Sequence, residues 1–240
     1  MKTRIIISHY SVRPLEELRQ LLKQLAGYRD QICVVINQEA DAPAHDLIAN
    51  VQVLTNPNLG MNIGAWNRGF LDDPDADLYF FLQDECFLKR DGFIQASIDR
   101  FRRDARLGML GETINRRWAH PWPVLLTSSL NQIDAEHCAG GIPTGRVSAY
   151  LAAMKGWGVD PGRSAEHLRS LVWAFPGAVL RLLGGFPVGV NRGECVAAEI
   201  AVSRKVVSLG YRFDQISDVP FFYFGHSEWR SDGLSKCLRD

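Results

Sequence analysis

The 240 residues carry 27 basic and 27 acidic side chains and so no formal net charge, which excludes the broad positive field on which nucleic-acid binders depend. The length allows one large domain or two small ones, with a core that needs no covalent staples. The five cysteines, Cys33, Cys86, Cys138, Cys195 and Cys237, are odd in number and none sits at CxxC spacing, so reduced thiols in a cytoplasmic protein are expected.

The chain opens with MKTRIIISHY, whose apolar run is too short for a secretory signal. Its segment RIIIS (4–8) is β-branched and apolar, which predicts a strand. Leu15, Leu18, Leu21, Leu22 and Leu25 then repeat at helical spacing between Pro14 and Gly27. QICVVI (31–36) and VQVLT (51–55) read as two further strands. NPNLGMNIGAWNRGF (56–70) begins as a loop and becomes a helix near Asn62. LYFFL (78–82) is a fourth strand, DGFIQASIDRFRR a helix capped by Asp91, and LGMLG (107–111) another strand. This alternation argues for an α/β fold with a mostly parallel central sheet and helices on both faces.

Residues 112–170 show no sustained period. Tryptophans, prolines and glycines punctuate them, as in a functional connection. The most apolar window, 171–190, contains Arg181, two prolines and four glycines, so it reads as strand, turn and short helix rather than a membrane span. Contact with a membrane surface stays open. A long helix follows from about Glu194 to Leu209, then a strand PFFYF (220–224) and a loop GHSEWRSD.

Ligands of open parallel sheets bind beyond the carboxyl ends of the strands. Here those ends are Ser8-His9-Tyr10, Asn37-Gln38-Glu39, residues 56–62, and Gln83-Asp84-Glu85. Asp84 and Glu85 form either a solvated turn or an oxygen site for magnesium or manganese. Glu199 has no lysine or arginine at its helical neighbour positions and borders the apolar stripe of Val196, Ile200, Ser203 and Val207. It is either paired with a distant group or, with its pKa raised by desolvation, a general base. Glu194 sits at the helix start, where the dipole favours a carboxylate. His226 is of interest only if the fold carries it to Asp84 and Glu85. GGIPTGRV (140–147) has P-loop glycine spacing but lacks the lysine, and there is no HExxH, GxSxG or GxGxxG. DAEHC (134–138) holds metal-capable side chains in what reads as a loop.

In order and spacing the chain resembles the family-two glycosyltransferases of GT-A fold. IIISHYS matches their first strand and polar-aromatic segment, ICVVINQ their second strand, and NLGMNIGAWNRGF their helix start. FLQDE matches the acidic metal motif, and LLGGFPVGVNRGECVAAEIAVSRKVVSLGYRF the later GGF, acidic helix and GYR. The resemblance covers nearly the whole chain. It departs from the family where Asn37 and Gln83 replace aspartates and where Ala198-Glu199 replaces a carboxylate pair.

The resemblance implies a single glycosyltransferase-like domain over 1–240, with a nucleotide-sugar half (1–111) and an acceptor half (112–240). Donor contacts are expected from Ser8, Tyr10, Asn37 and Asn62, and further from Gly64, Asn67, Gln83 and Asp84. A divalent Mn or Mg ion is expected on Asp84, Glu85 and His226. Glu199, or Glu194 if the spacing shifts, would act as base in an inverting transfer to a glycan, lipid-linked or protein acceptor. Two alternatives stay open, a non-catalytic sugar-nucleotide or glycan-binding module and a nucleotidyltransferase.

Overall fold

The computed structural model describes residues 1–38, 51–134, 137 and 144–227. The expected loop after Ser227, the Gly140-Gly141 turn, Glu39, Cys138 and Cys237 lie outside the described residues. Cys33, Cys86 and Cys195 are buried free thiols.

A seven-stranded sheet forms the centre, in the order β3-β2-β1-β4-β7-β6-β8. Its strands are β1 (Thr3–Tyr10), β2 (Ile32–Asn37), β3 (Gln52–Asn56), β4 (Leu78–Gln83), β6 (Leu107–Gly111), β7 (Val172–Pro176) and β8 (Arg212–Gln215). β1 runs parallel to β2 and β4, β2 to β3, and β6 to β8. β7 alone is antiparallel to its neighbours β4 and β6. The chain moves outward from β1 to β2 and β3, then returns to place β4 on the other side of β1. That reversal opens a crevice at the carboxyl ends of β1 and β4.

The two-residue period of β1 divides the core. Ile5 and Ile7 face α1 (Glu16–Gln24) and α3 (Phe93–Arg103), through Leu18, Leu21, Phe93 and Ile98. Ile6 faces the opposite layer of α2 (Met61–Asp72), α6 (Gly177–Leu183) and α7 (Arg192–Ser208), through Trp66, Leu180 and Val202. A third cluster packs α4 (Trp122–Thr127) and α5 (Arg146–Gly156) on the outer side of α7. α7 is therefore buried on two sides. Ala198, Val202 and Val206 meet the sheet layer, and Ala197, Ile200 and Ala201 meet α5. The single stripe expected around Ile200 is only half of its buried surface.

Four local expectations need correction. Gly92, not Asp91, is the N-cap of α3, and no side chain caps that helix. Residues 112–170 contain α4 and α5, whose apolar residues hide the helical period because they are spread around the helix. The last strand is not residues 220–224. Phe221 has φ 54°, which breaks extended backbone, and β9 (Phe224–His226) pairs antiparallel with β5 (Cys86–Leu88) in a separate two-stranded sheet. The half-exposed β8 was not expected, because RFDQ lacks an apolar run. Among the described residues no helix is long and apolar enough to cross a membrane.

Candidate functional site

A cavity of about 330 Å³ opens at the carboxyl ends of β1, β2 and β4. Ser8, Tyr10, Asn37, Asn62, Gln83, Asp84 and Glu85 line it, with His9, Arg13, Asn58 and Met61. Parallel register brings them together, because Ser8 pairs with Gln83 and Tyr10 with Asn37.

One wall is an amide network. Asn56 Nδ2 donates to Asn37 Oδ1 at 2.7 Å, and Asn37 Nδ2 donates to Met61 O at 2.9 Å. These bonds join β2 and β3 to the start of α2. That start is tight. Gly60 is left-handed at φ 76°, and a Cβ on Gly64 would lie 1.7 Å from Leu59 O. Gly64 is buried and serves the packing of the loop on its own helix. It does not line the cavity. Asn67 also points elsewhere, since its Oδ1 accepts from Phe186 N at 2.8 Å in the GGF segment. Trp66 is fully buried, with its indole N–H on Leu82 O at 3.0 Å.

The floor holds the charged groups. Asp84 Oδ2 lies 2.5 Å from His9 Nδ1, and both side chains are almost completely buried. Asp84 N also donates to Ser8 O at 3.1 Å. One oxygen of the Asp84 carboxylate is thus taken by His9. Glu85, 13 % exposed, forms an ion pair with Arg13, and its Oε2 lies 3.7 Å from His226 Nε2. The strand pairing of β5 with β9, Cys86 opposite His226, is what carries the histidine there. Gln83 Nε2 donates to Ser170 O at 2.7 Å, which turns Gln83 Oε1 toward His226 Nε2 at 3.0 Å. An amide oxygen only accepts, so this His226 nitrogen carries the proton. Among the described residues no three His, Cys, Asp or Glu side chains are arranged to hold a metal by themselves. Near DAEHC, His137 Nδ1 lies 2.8 Å from Asp134 Oδ2, and Arg146 also binds Asp134.

Ser170 links the cavity to α7. Its carbonyl accepts from Asn62 Nδ2 at 2.8 Å as well as from Gln83, and its amide donates to Glu199 Oε2 at 3.2 Å. Burial raises the pKa of Glu199, and the Ser170 bonds partly oppose that. His167 Nε2 lies 3.8 Å from the same Glu199 oxygen. His167 Nδ1 donates to Ala165 O at 2.7 Å, and burial lowers the ring's pKa to about 4. A neutral imidazole therefore stands beside Glu199. Glu194 has a different position. Its Oε2 accepts from Val190 N at 2.8 Å while its own amide donates to the N-cap Asn191 Oδ1 at 2.9 Å, and the two bonds close the first turn of α7.

The structure thus gathers Ser8, Tyr10, Asn37, Asn62, Gln83, Asp84 and Glu85 in one cavity, places His226 beside Glu85, and sets Glu199 behind Ser170. Gly64, Asn67 and Glu194 have the separate contacts given above. Sequence reasoning assigned no role to Arg13, His9 or Ser170. Arg13 was legible as the one cation in the SHYSVRP segment leaving β1.

No protein-family model matches the sequence, and no curated protein matches it. Solved structures do. One is the mannosyltransferase PcManGT from Pyrobaculum calidifontis in complex with GDP-Man and Mn2+, at 14% identity and TM-score 0.54, covering 100% of this chain. Another is glucosyl-3-phosphoglycerate synthase from Mycobacterium tuberculosis with Mn2+ and UDP-glucose, at 11% identity and TM-score 0.53, covering 99% of this chain and 75% of that one. A third is GalNAc-T7 with UDP, GalNAc and Mn2+, at 10% identity and TM-score 0.57, covering 94% of this chain. The chain spans 64% of the mannosyltransferase and 44% of GalNAc-T7. These similarities establish a GT-A-type fold.

Proposed function

We propose that the chain is a glycosyltransferase that moves a sugar from a nucleotide-sugar to an acceptor hydroxyl with inversion. The observation that carries this reading is the Ser170 bridge. It ties the cavity residues Asn62 and Gln83 to Glu199, a partly buried carboxylate with a raised pKa. In this reading residues 1–111 hold the donor and 112–240 supply the acceptor side.

Base and ribose lie against Tyr10 and Asn37, and the diphosphate lies toward Arg13 and Glu85. Glu199 accepts the proton of the acceptor hydroxyl. That oxygen then attacks the anomeric carbon as the bond to the nucleoside diphosphate breaks, and one displacement inverts the centre. The neutral His167 beside Glu199 adds no competing positive charge that would lower the base's pKa. Ala198 is buried against the sheet layer, so a second acidic side chain there would enter the core rather than the acceptor space.

The donor set fits a divalent cation. Glu85 offers a carboxylate and His226 an imidazole 3.7 Å from it, and a guanidinium already stands on Glu85 as a positive charge. Glu85 would hold a magnesium or manganese ion with diphosphate and water completing its shell, His226 joining only after releasing its proton and Gln83. Such an ion, when bound, neutralises the leaving diphosphate.

The test is a panel of nucleotide-sugars, scored by thermal shift and by donor hydrolysis with and without manganese. Glu85→Ala should abolish the metal-dependent part of donor binding. A protein that binds donor but transfers nothing to any glycan, lipid-linked or peptide acceptor would leave the binding-module reading standing instead.

A further inference from the structure

Arg13 stands where β1 turns toward α1. The turn is held by backbone bonds, Ser11 N to Asn37 O and Arg13 N to Tyr10 O, both 2.9 Å. The Arg13 backbone is therefore fixed, while its side chain is 42% exposed and reaches across the cavity to Glu85. Glu85 is the more enclosed partner, at 13%. The more exposed member of this ion pair is the cation, and it is also a wall of the cavity in which the proposed diphosphate lies.

Two kinds of cation then have a claim on one carboxylate. A guanidinium and a divalent ion cannot both sit on Glu85 without direct repulsion. Arginine has a second suitable partner in the same cavity, because its planar fork of N–H donors matches phosphate oxygens. Resting on the proposed function, we infer that Arg13 and the divalent cation exchange on Glu85. Without donor, the Arg13 guanidinium occupies the carboxylate and keeps the metal off. When a nucleoside-diphosphate group enters with its cation, Glu85 passes to the metal and Arg13 moves onto the phosphate oxygens. Metal and nucleotide then bind together, each weakly alone, because each removes the obstacle to the other.

The experiment is calorimetric titration of manganese into the wild-type, Arg13→Gln, Arg13→Lys and Glu85→Gln proteins, first alone and then with UDP or GDP. Arg13→Gln should bind manganese alone about fivefold tighter than wild type, the size an exposed ion pair carries. It should bind the nucleoside diphosphate with manganese about tenfold more weakly, because a charge-assisted phosphate contact is gone. Arg13→Lys should fall between the two, since it keeps the charge and loses the fork. Equal manganese affinity in wild type and Arg13→Gln, both sensitive to Glu85→Gln, overturns the exchange and leaves the metal site intact. Manganese binding that Glu85→Gln does not change, or none in any protein even with nucleotide, overturns the metal site and the exchange together.

Discussion

Ser170 donates its amide to Glu199 Oε2 at 3.2 Å, and with its carbonyl it accepts from both Asn62 and Gln83. One residue on the approach to β7 thus couples the first-half cavity to the one carboxylate on α7 whose pKa burial raises. The coupling fixes the proposed base relative to Asn62 and Gln83 in the cavity wall.

Glu199→Gln keeps the volume and the bond from Ser170 but takes no proton. Transfer should fall by about 100- to 10,000-fold, with donor affinity nearly unchanged. In the wild type the acid limb of the rate profile should lie above the ordinary carboxylate range, with the rate falling as pH drops through it. Glu194→Gln keeps an oxygen for Val190 N and loses only the negative charge at the start of α7, so it should cost about 0.3 to 1 kcal/mol in urea unfolding and leave transfer in place. Loss of transfer in Glu194→Gln but not in Glu199→Gln would show that the base has been assigned to the wrong turn of α7.

Asp84 and His9 form a buried pair 2.5 Å apart. Removing Asp84 takes the hydrogen-bond partner from the buried His9 Nδ1, so Asp84→Ala should cost about 1 to 3 kcal/mol of stability. Its effect on manganese affinity should be smaller than that of Glu85→Ala. A larger metal effect with no change in unfolding midpoint would make Asp84 a ligand rather than the partner of His9.

Glu112 directly follows β6 and is 3% exposed. Its backbone carbonyl accepts from Phe221 N at 3.2 Å and its carboxylate from Tyr223 N at 3.4 Å, which pins the segment leading to His226. Burial raises its pKa to about 7, against the opposing pull of the Tyr223, Phe224 and Phe222 amides and of Lys89. Between the unfolded value of 4.5 and about 7 the folded chain holds a proton that the unfolded chain has released. Its contribution is therefore present below pH 4.5 and lost as pH rises through 7, an effect of about 3 kcal/mol. His167 acts with the opposite sign. Its depressed pKa makes stability fall as pH drops from 6.5 toward about 4. The clean observable is the difference between Glu112→Gln and wild type. It should shift in favour of the variant as pH rises from 4.5 to 7, and a flat difference across that window would contradict it.

Gly64→Ala places a methyl where Leu59 O already sits, 1.7 Å away. The loop must move, at a cost of about 1 to 3 kcal/mol or more. Donor affinity should fall with it, since Met61 and Asn62 line the cavity. Unchanged stability and affinity would mean that this loop is free to relocate.

Much of this architecture is written in short-range signals. The apolar runs at Ile5, Val34 and Phe80 mark buried parallel strands, and in such a sheet the residues just past those runs must share one edge. That is why Ser8, Tyr10, Asn37, Asn62 and the Gln83–Glu85 step were legible as cavity residues. Contacts made far along the chain were decided only by folding. Arg13 meets Glu85, Gln83 meets Ser170 across 87 residues, and Asn67 meets Phe186 across 119. Nothing in a local pattern states which distant donor a side chain will face. β7 inserts antiparallel between β4 and β6, and its apolar run reads the same in either direction. The sheet's directional pairing, together with the two-sided burial of α7, brings Ser170 to Glu199, so that relationship belongs to the tertiary structure alone.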